Sequence, residues 1–308
     1  MGKLKLQNPE VRIENCSICN ANCIICPREK MTRPKMIMTN KHFAYLVNQA
    51  KDLGAKTISI FGFGEPLVDK DIIWKVQYCS NLGLDTFITT NASLLGVDMA
   101  YGLISAGLSH IRFSCHGIEQ NYEKVHRPLK WNTVIRNIAN FFAMNRIKFN
   151  NATITSMSVI PMNGESVYEI RSFWEKRVDF LEIWKPHNWT SAKDFRDGEV
   201  VRQTCFRPFS GPLQINADGS VMVCCFDFNA SMVVGCTHSQ TIQEILQGTW
   251  FRNIRDRHRR QDFEGLPCES CDQLFEYAED ENPLLYSNRD KERKIGVTSS
   301  TKFCLECN

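Results

Sequence analysis

The feature that most constrains this chain is a run of three cysteines within eight residues, Cys19-x3-Cys23-x2-Cys26. Three thiolates at this spacing can surround one iron–sulfur cube and leave its fourth iron without a protein ligand. Electron-transfer clusters normally take four cysteines, so a three-cysteine loop indicates a site kept open for a small molecule. Zinc is the alternative, although structural zinc sites close their fourth position and usually have paired C-x2–4-C spacings.

The chain has 14 cysteines in 308 residues, and its N-terminus lacks the apolar core of a signal peptide. Thiols without a secretion signal predict metal ligands or reactive groups rather than disulfides, and a reducing, cytoplasmic setting. Their grouping indicates more than one metal site. The groups are Cys16 to Cys26, then Cys205, Cys224, Cys225 and Cys236, then Cys268 and Cys271, and finally Cys304 and Cys307.

The composition, with 43% hydrophobic and 23% charged residues, is typical of a soluble globular protein. A net charge of +3 predicts neither a nucleic-acid nor a membrane partner. No apolar run approaches the roughly 20 residues needed to span a bilayer.

Strand-like and helix-like stretches alternate from residue 11 to about residue 190, and glycines end successive helices at Gly54, Gly83 and Gly107. About six strand–helix units predict an α/β fold with a parallel sheet and helices outside, which right-handed crossovers would curl into a partial (β/α)6 TIM-like barrel. A flat doubly wound sheet alternates in the same way and stays open as an alternative. In a barrel the chemistry lies at the carboxyl ends of the strands. The expected strands are Val11–Glu14, Thr57–Phe61, Thr86–Thr90, His110–Cys115, Ala152–Ile160 and Phe180–Trp184.

A smaller second module follows, with a β-hairpin that turns at Asp218-Gly219 and then short helices. The expected organisation is a barrel over residues 1–190, a linker over 191–203, the second module over 204–275 and a polar tail over 276–308. Four cysteines of this module form a possible ligand set, for which a structural zinc ion competes with an iron–sulfur cluster. They are Cys205, Cys224, Cys268 and Cys271.

The first cysteine run resembles the motif of the radical S-adenosylmethionine (SAM) superfamily, in which the open iron binds the amino and carboxylate groups of SAM. Gly62-Phe63-Gly64-Glu65-Pro66 resembles the Gly-Gly-Glu-Pro segment that holds the SAM amino group, with Phe63 replacing a glycine. Thr90-Asn91-Ala92 is similar to the family's Thr-Asn-Gly, with alanine for glycine, although Asn91 would also serve as a helix cap. Ser114 matches the serine that contacts SAM, and His116 stands where the family has aspartate. The resemblance implies a cofactor-binding set of Ile25, Gly64, Glu65, Asn91 and Ser114.

The second module resembles the SPASM/twitch extension of these enzymes, which binds an auxiliary [4Fe–4S] cluster. Cys224 fits the ligand spacing best, and Cys225 is then a neighbouring free thiol or an alternate ligand. The implied cofactors are two [4Fe–4S] clusters and SAM. Cys304 and Cys307 have no assigned role.

In the mechanism implied by the resemblance, a flavodoxin- or ferredoxin-type donor reduces the first cluster and SAM is cleaved to a 5′-deoxyadenosyl radical. The radical takes a hydrogen atom from a substrate carbon. An auxiliary cluster suits acceptance of one electron and hence oxidation of an alcohol, as in the butirosin-pathway dehydrogenase type that the architecture resembles. Hydrogen return from Cys225 or Cys236 would instead give an epimerase. A non-catalytic iron–sulfur electron carrier is the alternative of another class.

The substrate is expected to be small and polar, such as a sugar, a cyclitol or an aminoglycoside-like molecule. Only about fifteen residues precede the cysteine loop, so no peptide-recognition domain is expected there. His116 is a candidate substrate contact or proton acceptor at a strand end. Weaker candidates at the same rim are Lys185, His187 and Asn188.

Overall fold

The fold is that of a computed structural model that describes residues 4–196, 199–200, 204–205, 207–276 and 284–289. Its first part alternates strands with helices, as the sequence predicts. The elements are β1 (Glu10–Ile13), β2 (Asn22–Cys23), α1 (Asn40–Asp52), β3 (Thr57–Ile60), α2 (Ile72–Asn81), β4 (Asp85–Thr90), α3 (Val97–Ser105), β5 (His110–Ser114), α4 (Gln120–Val125), β6 (His126–Arg127), α5 (Trp131–Phe149), β7 (Ile154–Val159), α6 (Val167–Trp174) and β8 (Phe180–Trp184).

The first helix shows why these segments fold as they do. The Oγ1 of Thr39 accepts a hydrogen bond from the backbone N–H of His42 and so caps the N-terminus of α1. Phe43, Leu46 and Val47 lie on one face at helical spacing and are fully buried. Just after the helix, Gly54 adopts a φ of +91°, a conformation that glycine reaches without a steric penalty.

Six strands form a parallel sheet in the order β1-β3-β4-β5-β7-β8, which is their order along the chain. Residues on these strands or just after them line one central cavity of about 390 Å³. A flat sheet could not present all six strands to one cavity, so the sheet is curled. The predicted partial barrel is therefore confirmed over the flat alternative.

The rest of the chain supplies β9 to β14 and three helices, with β9 in the expected linker and β14 in the expected tail. The Oδ1 of Asp218 accepts a hydrogen bond of 3.0 Å from the N–H of Ser220, and Gly219 has a φ of +81°, which confirms the predicted hairpin turn. The elements are β9 (Glu199–Val200), α7 (Arg207–Ser210), β10 (Leu213–Ile215), β11 (Ser220–Met222), β12 (Val233–Cys236), α8 (Ile242–Leu246), α9 (Thr249–Arg259), β13 (Phe275–Glu276) and β14 (Leu284–Ser287).

Both edges of the parallel barrel sheet are covered by later segments. On one side β10 pairs in parallel with β1, with Leu213 opposite Val11. On the other side β14 pairs antiparallel with β8. The result is one ten-stranded sheet that runs through both modules. The sequence suggested a separate second module and a polar tail, whereas open strand edges need partners and these segments provide them.

The segment that spans the end of the expected barrel and the start of the expected linker packs against the cysteine loop and the residues that follow it. The indole N–H of Trp189 donates a hydrogen bond of 2.7 Å to the carbonyl of Ile25, and Lys30 Nζ donates one of 2.7 Å to the carbonyl of Ala192. Cys304 and Cys307 lie outside the described residues. No helix in the described ranges combines the length and the apolar composition needed to cross a membrane.

Candidate cluster and cofactor site

The cysteine loop follows β1 at the carboxyl end of the barrel, and Cys19, Cys23 and Cys26 all line the central cavity. Burial raises the pKa of the Cys26 thiol to about 11 and raises that of Cys23 further. The charges of Cys26 and Cys19 also raise the pKa of Cys23, so the three thiols lie close together. Buried thiols of this kind ionise when they bind a cationic metal centre. The three-thiol donor set therefore fits a cluster with one iron left for another ligand.

In the described ranges, no group of three or more His, Cys, Asp or Glu side chains is arranged to hold one ion. A four-iron cube carries each of its thiolates on a separate iron.

The segment after β3 lies directly against the cysteine loop. A Cβ atom at Gly64 would come within 2.1 Å of the carbonyl oxygen of Cys16, so only glycine fits this contact. The next residue, Glu65, donates its backbone N–H to the carbonyl of Ile18 at 2.9 Å. The two predicted cofactor-binding segments are thus held together by the backbone.

The Glu65 carboxylate is buried, with 2% of the residue exposed, and it accepts three hydrogen bonds. Its Oε1 accepts from the Thr90 hydroxyl at 2.6 Å and from the Leu67 N–H at 3.1 Å, and its Oε2 accepts from the Asn91 N–H at 2.8 Å. Burial raises the pKa of Glu65 to about 7, although these hydrogen bonds act in the opposite direction. The carboxylate joins the end of β4 to the segment that follows β3.

Asn91 does not cap a helix, because α3 begins only at Val97. Instead its Oδ1 accepts from the N–H of Ser93 at 2.9 Å, and its Nδ2 donates to the Oδ1 of Asn20 in the cysteine loop at 3.0 Å. Ala92, which stands where the family has glycine, adopts a φ of +60°. This left-handed conformation is the physical reason for glycine at that position. Ile25, Asn91 and Ser114 all line the central cavity.

A stack of rings connects the cysteine loop to β5. Nε2 of His126 accepts the backbone N–H of His116 at 2.9 Å, so a neutral imidazole carries its proton on Nδ1. Burial lowers the pKa of His126 well below its usual range and keeps it neutral. The Nδ1–H therefore donates to the Sγ of Cys23, 3.2 Å away. Hydrogen bonds to cluster sulfurs are one determinant of cluster reduction potential.

His116 lines the cavity, but one of its nitrogens is already used. Its Nδ1 accepts the backbone N–H of Ile160 at 3.1 Å, and burial lowers its pKa to about 3. Nε2 then carries the proton and can only donate. The geometry fits His116 as a hydrogen-bond donor to a substrate, whereas a role as proton acceptor would require Nδ1 to be free.

The second ligand set surrounds a smaller cavity beside the first. Cys205, Cys224, Cys268 and Cys271 all line it, and burial raises the pKa of each thiol. Cys225 lines the central cavity instead, where its Sγ accepts a hydrogen bond of 3.0 Å from Arg207. The two adjacent thiols therefore lie at different cavities.

Three side chains line both cavities and form the wall between them: Arg207, Phe226 and Gln273. The guanidinium carbon of Arg207 lies 4.5 Å from the centroid of the Phe226 ring. Burial lowers the pKa of Arg207, but the surrounding cysteine sulfurs outweigh burial and raise this pKa above its usual range. The wall is therefore one side-chain layer thick and carries a positive charge.

Two predicted site residues do not line the central cavity. Asn188 uses its Oδ1 to accept the backbone N–H groups of Phe195 and Arg196, at 2.9 and 3.1 Å, so its amide stabilises the following loop rather than contacting a substrate. Cys236 pairs with Ser220 at the turn end of the hairpin. Cys236 lines neither the central cavity nor the smaller cavity beside it. Lys185 and His187 line the central cavity as expected.

The sequence interpretation missed several charged residues that line the cavity. Arg12 on β1, Arg112 on β5 and Glu182 on β8 all face it, as does Arg207. A signal was available, because polar residues recur at alternate positions of otherwise apolar strands, as in His110-Ile111-Arg112-Phe113-Ser114. Alternate strand positions face one side, here the interior of the barrel.

The chain belongs to the radical SAM superfamily, since the family model for that superfamily matches residues 15–173, which is 159 of the 308 residues. A second family model, described as an iron–sulfur cluster-binding domain and called SPASM, matches residues 205–272. The radical SAM domain binds a [4Fe–4S] cluster and SAM. The SPASM domain binds auxiliary iron–sulfur clusters. This membership favours an enzyme over a passive electron carrier.

Two curated relatives match part of the chain. It is 35% identical over 187 residues to a GTP 3′,8-cyclase from Desulforamulus reducens, with 55% of each chain covered. It is 29% identical over 97 residues to a PqqA peptide cyclase from Bradyrhizobium diazoefficiens, with 29% of this chain and 25% of that protein covered. The chain thus spans about half or less of the length of these relatives.

Two solved structures share the fold at low identity. BtrN in complex with AdoMet and 2-DOIA superposes with a TM-score of 0.63 at 20% identity, covering 88% of this chain and 94% of that one. SuiB of Streptococcus suis bound to the precursor peptide SuiA superposes with a TM-score of 0.66 at 15% identity, covering 87% and 70%. Both likenesses support the partial barrel with its additional C-terminal module.

Proposed function

We propose that the protein is a radical SAM dehydrogenase that oxidises an alcohol carbon of a small polar substrate by two electrons. The observation that carries this proposal is the wall between the two cavities, which is a single layer formed by Arg207, Phe226 and Gln273. When bound, the first cluster and SAM would supply the radical that removes the carbon-bound hydrogen atom. The auxiliary cluster would accept the second electron, and the hydroxyl proton would pass to water. A flavodoxin- or ferredoxin-type protein is the proposed electron donor.

The first cluster is assigned to Cys19, Cys23 and Cys26, and the auxiliary cluster to Cys205, Cys224, Cys268 and Cys271. Arg28 supports the first assignment, because its guanidinium lies beside this loop and donates to the carbonyls of Ser17 and Phe63, both at 2.8 Å. It holds the loop against the segment after β3. Arg207 plays the corresponding part at the auxiliary site, where its positive charge offsets the charge of the thiolates.

The proposed SAM contacts are Ile25, Gly64, Glu65, Asn91 and Ser114, which share the rim of the central cavity. Gly64 keeps the backbone close to the cysteine loop, and the buried Glu65 fixes Thr90 and Asn91 at the end of β4. In the proposed role, Glu65 also accepts a hydrogen bond from the amino group of SAM.

The affinity for SAM should depend on pH through Glu65. A protonated carboxyl loses its charge and an acceptor site, and its pKa is raised to about 7 by burial. We therefore expect SAM affinity to rise as pH increases from 6 to 8, most steeply near pH 7. Glu65→Gln should bind SAM about tenfold more weakly at pH 8 and lack this step. Anaerobic equilibrium dialysis measures the SAM affinity of native protein and of Glu65→Gln at each pH. A pH profile of Glu65→Gln identical to that of native protein would contradict the assignment of Glu65 to the SAM amino group.

The interior of the barrel supports a small polar substrate. Ser158, Gln214 and Asn216 line the cavity together with the charged residues named above. BtrN was solved with AdoMet and 2-DOIA, and SuiB with a precursor peptide, so related folds act on different kinds of molecule. The polar lining, with His116 as a donor and Lys185 and His187 at the rim, fits a sugar, cyclitol or aminoglycoside-like substrate.

Epimerisation is the second candidate function, and Cys225 is the observation that favours it. Its thiol lines the central cavity beside Arg207, where it could return a hydrogen atom to a substrate radical. Cys236 is a matched control, because it lines neither cavity.

Turnover in heavy water separates the two functions. For the dehydrogenase we expect an oxidised product without solvent deuterium at the reacting carbon, and Cys225→Ala should still oxidise the substrate. Candidate sugars and cyclitols, incubated anaerobically with SAM and analysed by mass spectrometry, provide the measurement. Deuterium that enters the product of the native protein and of Cys236→Ala, but not that of Cys225→Ala, would establish the epimerase instead.

A further inference from the structure

Arg112 is an unusual residue in the interior of the barrel. It lies on β5 opposite Thr89 and Ser156, two residues deeper in the barrel than Ser114. Its guanidinium carbon is 5.5 Å from the ring centroid of Phe61 and 5.1 Å from that of Phe87. The two rings contact each other edge to face, with their centroids 5.4 Å apart, and the guanidinium lies against both of them.

The other arginines of the cavity all donate to protein acceptors. Arg12 donates to Glu10 at 2.7 Å, and Arg207 donates to the thiol of Cys225 at 3.0 Å. Arg28 and Arg196 donate to backbone carbonyls. Within the described ranges, Arg112 makes neither a hydrogen bond nor an ion pair, and its Nε is a buried donor without a partner. A buried donor left without an acceptor costs free energy, so such a group indicates an absent partner.

The charges around Arg112 leave its own charge unbalanced. Glu10 pairs with Arg12, and Glu182 pairs with Arg289 at 2.8 Å. These two carboxylates face Arg112 from β1 and β8, but each already holds another arginine. The missing partner is therefore an anion rather than a neutral polar group.

We infer that Arg112 binds an anionic group of the substrate, a carboxylate or a phosphate, at the floor of the central cavity. The planar guanidinium presents parallel N–H donors that match the oxygens of either group. The Phe61 and Phe87 rings shield part of the guanidinium from water, which strengthens the charge pair. This inference rests on the proposed function, because it specifies the substrate class of the same site.

The position of Arg112 separates this subsite from the proposed SAM contacts. Those contacts come from the cysteine loop and the carboxyl ends of β3, β4 and β5, whereas Arg112 is two residues, roughly 7 Å, deeper along β5. With Arg112 at the floor of the cavity and the SAM contacts at its rim, the bound anion would anchor one end of the substrate at the floor. Its reacting carbon would then lie between the anchor and the cofactor rim.

The test compares native protein with Arg112→Met, both anaerobically reconstituted and saturated with SAM. Thermal unfolding is followed with inorganic phosphate or acetate replacing chloride at constant ionic strength, and Arg259→Met, at an exposed arginine of α9, is the control. We expect phosphate or acetate to raise the melting temperature of native protein and of Arg259→Met. Arg112→Met should bind the stabilising anion roughly tenfold or more weakly than native protein does. Stronger stabilisation by inorganic phosphate would indicate a phosphate on the substrate, and stronger stabilisation by acetate would indicate a carboxylate.

Arg112→Met should not melt below native protein when no anion is added, because an apolar side chain replaces an unpaired cation. Equal stabilisation of native protein and Arg112→Met, or stabilisation of neither, would overturn the inference. Loss of SAM binding in Arg112→Met would also overturn it, since the residue would then hold the carboxylate of SAM. Failure of native protein to release 5′-deoxyadenosine would count against the proposed function alone, because anion binding is measured without turnover.

Discussion

Protein in which Cys19, Cys23 and Cys26 are all replaced by alanine will retain about half of the native iron and sulfide and will release no 5′-deoxyadenosine from SAM. Each of the two proposed sites would hold one four-iron cluster, so the native protein should contain about eight irons and this variant about four. Without the first cluster no protein group can break the sulfonium bond. Anaerobic iron and sulfide analysis, with chromatography of the nucleoside products, measures both results.

Two further variants make this experiment specific. Replacing Cys224, Cys268 and Cys271 together should also halve the iron content but leave reductive cleavage of SAM intact. Cys16→Ser is the matched control in the first loop, because Cys16 accepts the N–H of Ile18 at 3.3 Å and is not a proposed ligand. Full iron content in the first triple variant, or zinc in place of iron, would contradict the assignment.

Removing either partner of the buried ion pair between Glu14 and Arg33 should destabilise the fold by about 3–5 kcal/mol. The two side chains form a bidentate pair at 2.9 and 3.1 Å. Glu14 also accepts the N–H groups of Phe63 at 2.8 Å and Ala217 at 3.1 Å, and Arg33 donates to the carbonyl of Phe228 at 2.8 Å. This network therefore joins β1, the segment after β3 and the second module at one point.

Anaerobic urea unfolding of Glu14→Gln and Arg33→Met, followed by tryptophan fluorescence, tests this expectation. Asp256→Asn is the control, because its pair with Arg259 is more than half exposed and should contribute less than about 1 kcal/mol. We also expect substrate oxidation to fall more than SAM cleavage, since the network aligns the two cluster sites with each other. A loss below 1 kcal/mol in both buried variants would show that the modules are held together elsewhere.

Local signals were enough to predict much of the fold. The alternation of strand-like and helix-like stretches and the glycine at Gly54 predict α1, and Asp218-Gly219 predicts the hairpin turn. Each depends on residues a few positions apart. By contrast, β10 pairs with β1 across some two hundred residues, and no short-range pattern records that contact.

The candidate site likewise combines features that short sequence patterns predict with features that depend on long-range contacts. The spacing of Cys19, Cys23 and Cys26 identifies a cluster loop, because all three ligands lie within eight residues. Neither Arg112 nor Arg207 belongs to a motif, and their roles depend on which strands and cavities meet in three dimensions. Cys236 stays a predicted hydrogen donor, although it does not line the central cavity. It is close to Cys224 in sequence, but the hairpin register pairs it with Ser220, next to the turn.

The shared ten-stranded sheet has a consequence for engineering and for evolution. Two domains joined only by a linker can be exchanged as separate units. Here the C-terminal hairpin supplies backbone hydrogen bonds to the first strand of the barrel. Truncation at that boundary would leave β1 as an unpaired edge strand, which can pair with other chains and aggregate. Chimeras that graft a foreign C-terminal half onto this barrel should therefore succeed only when β1 is transplanted together with the incoming β10.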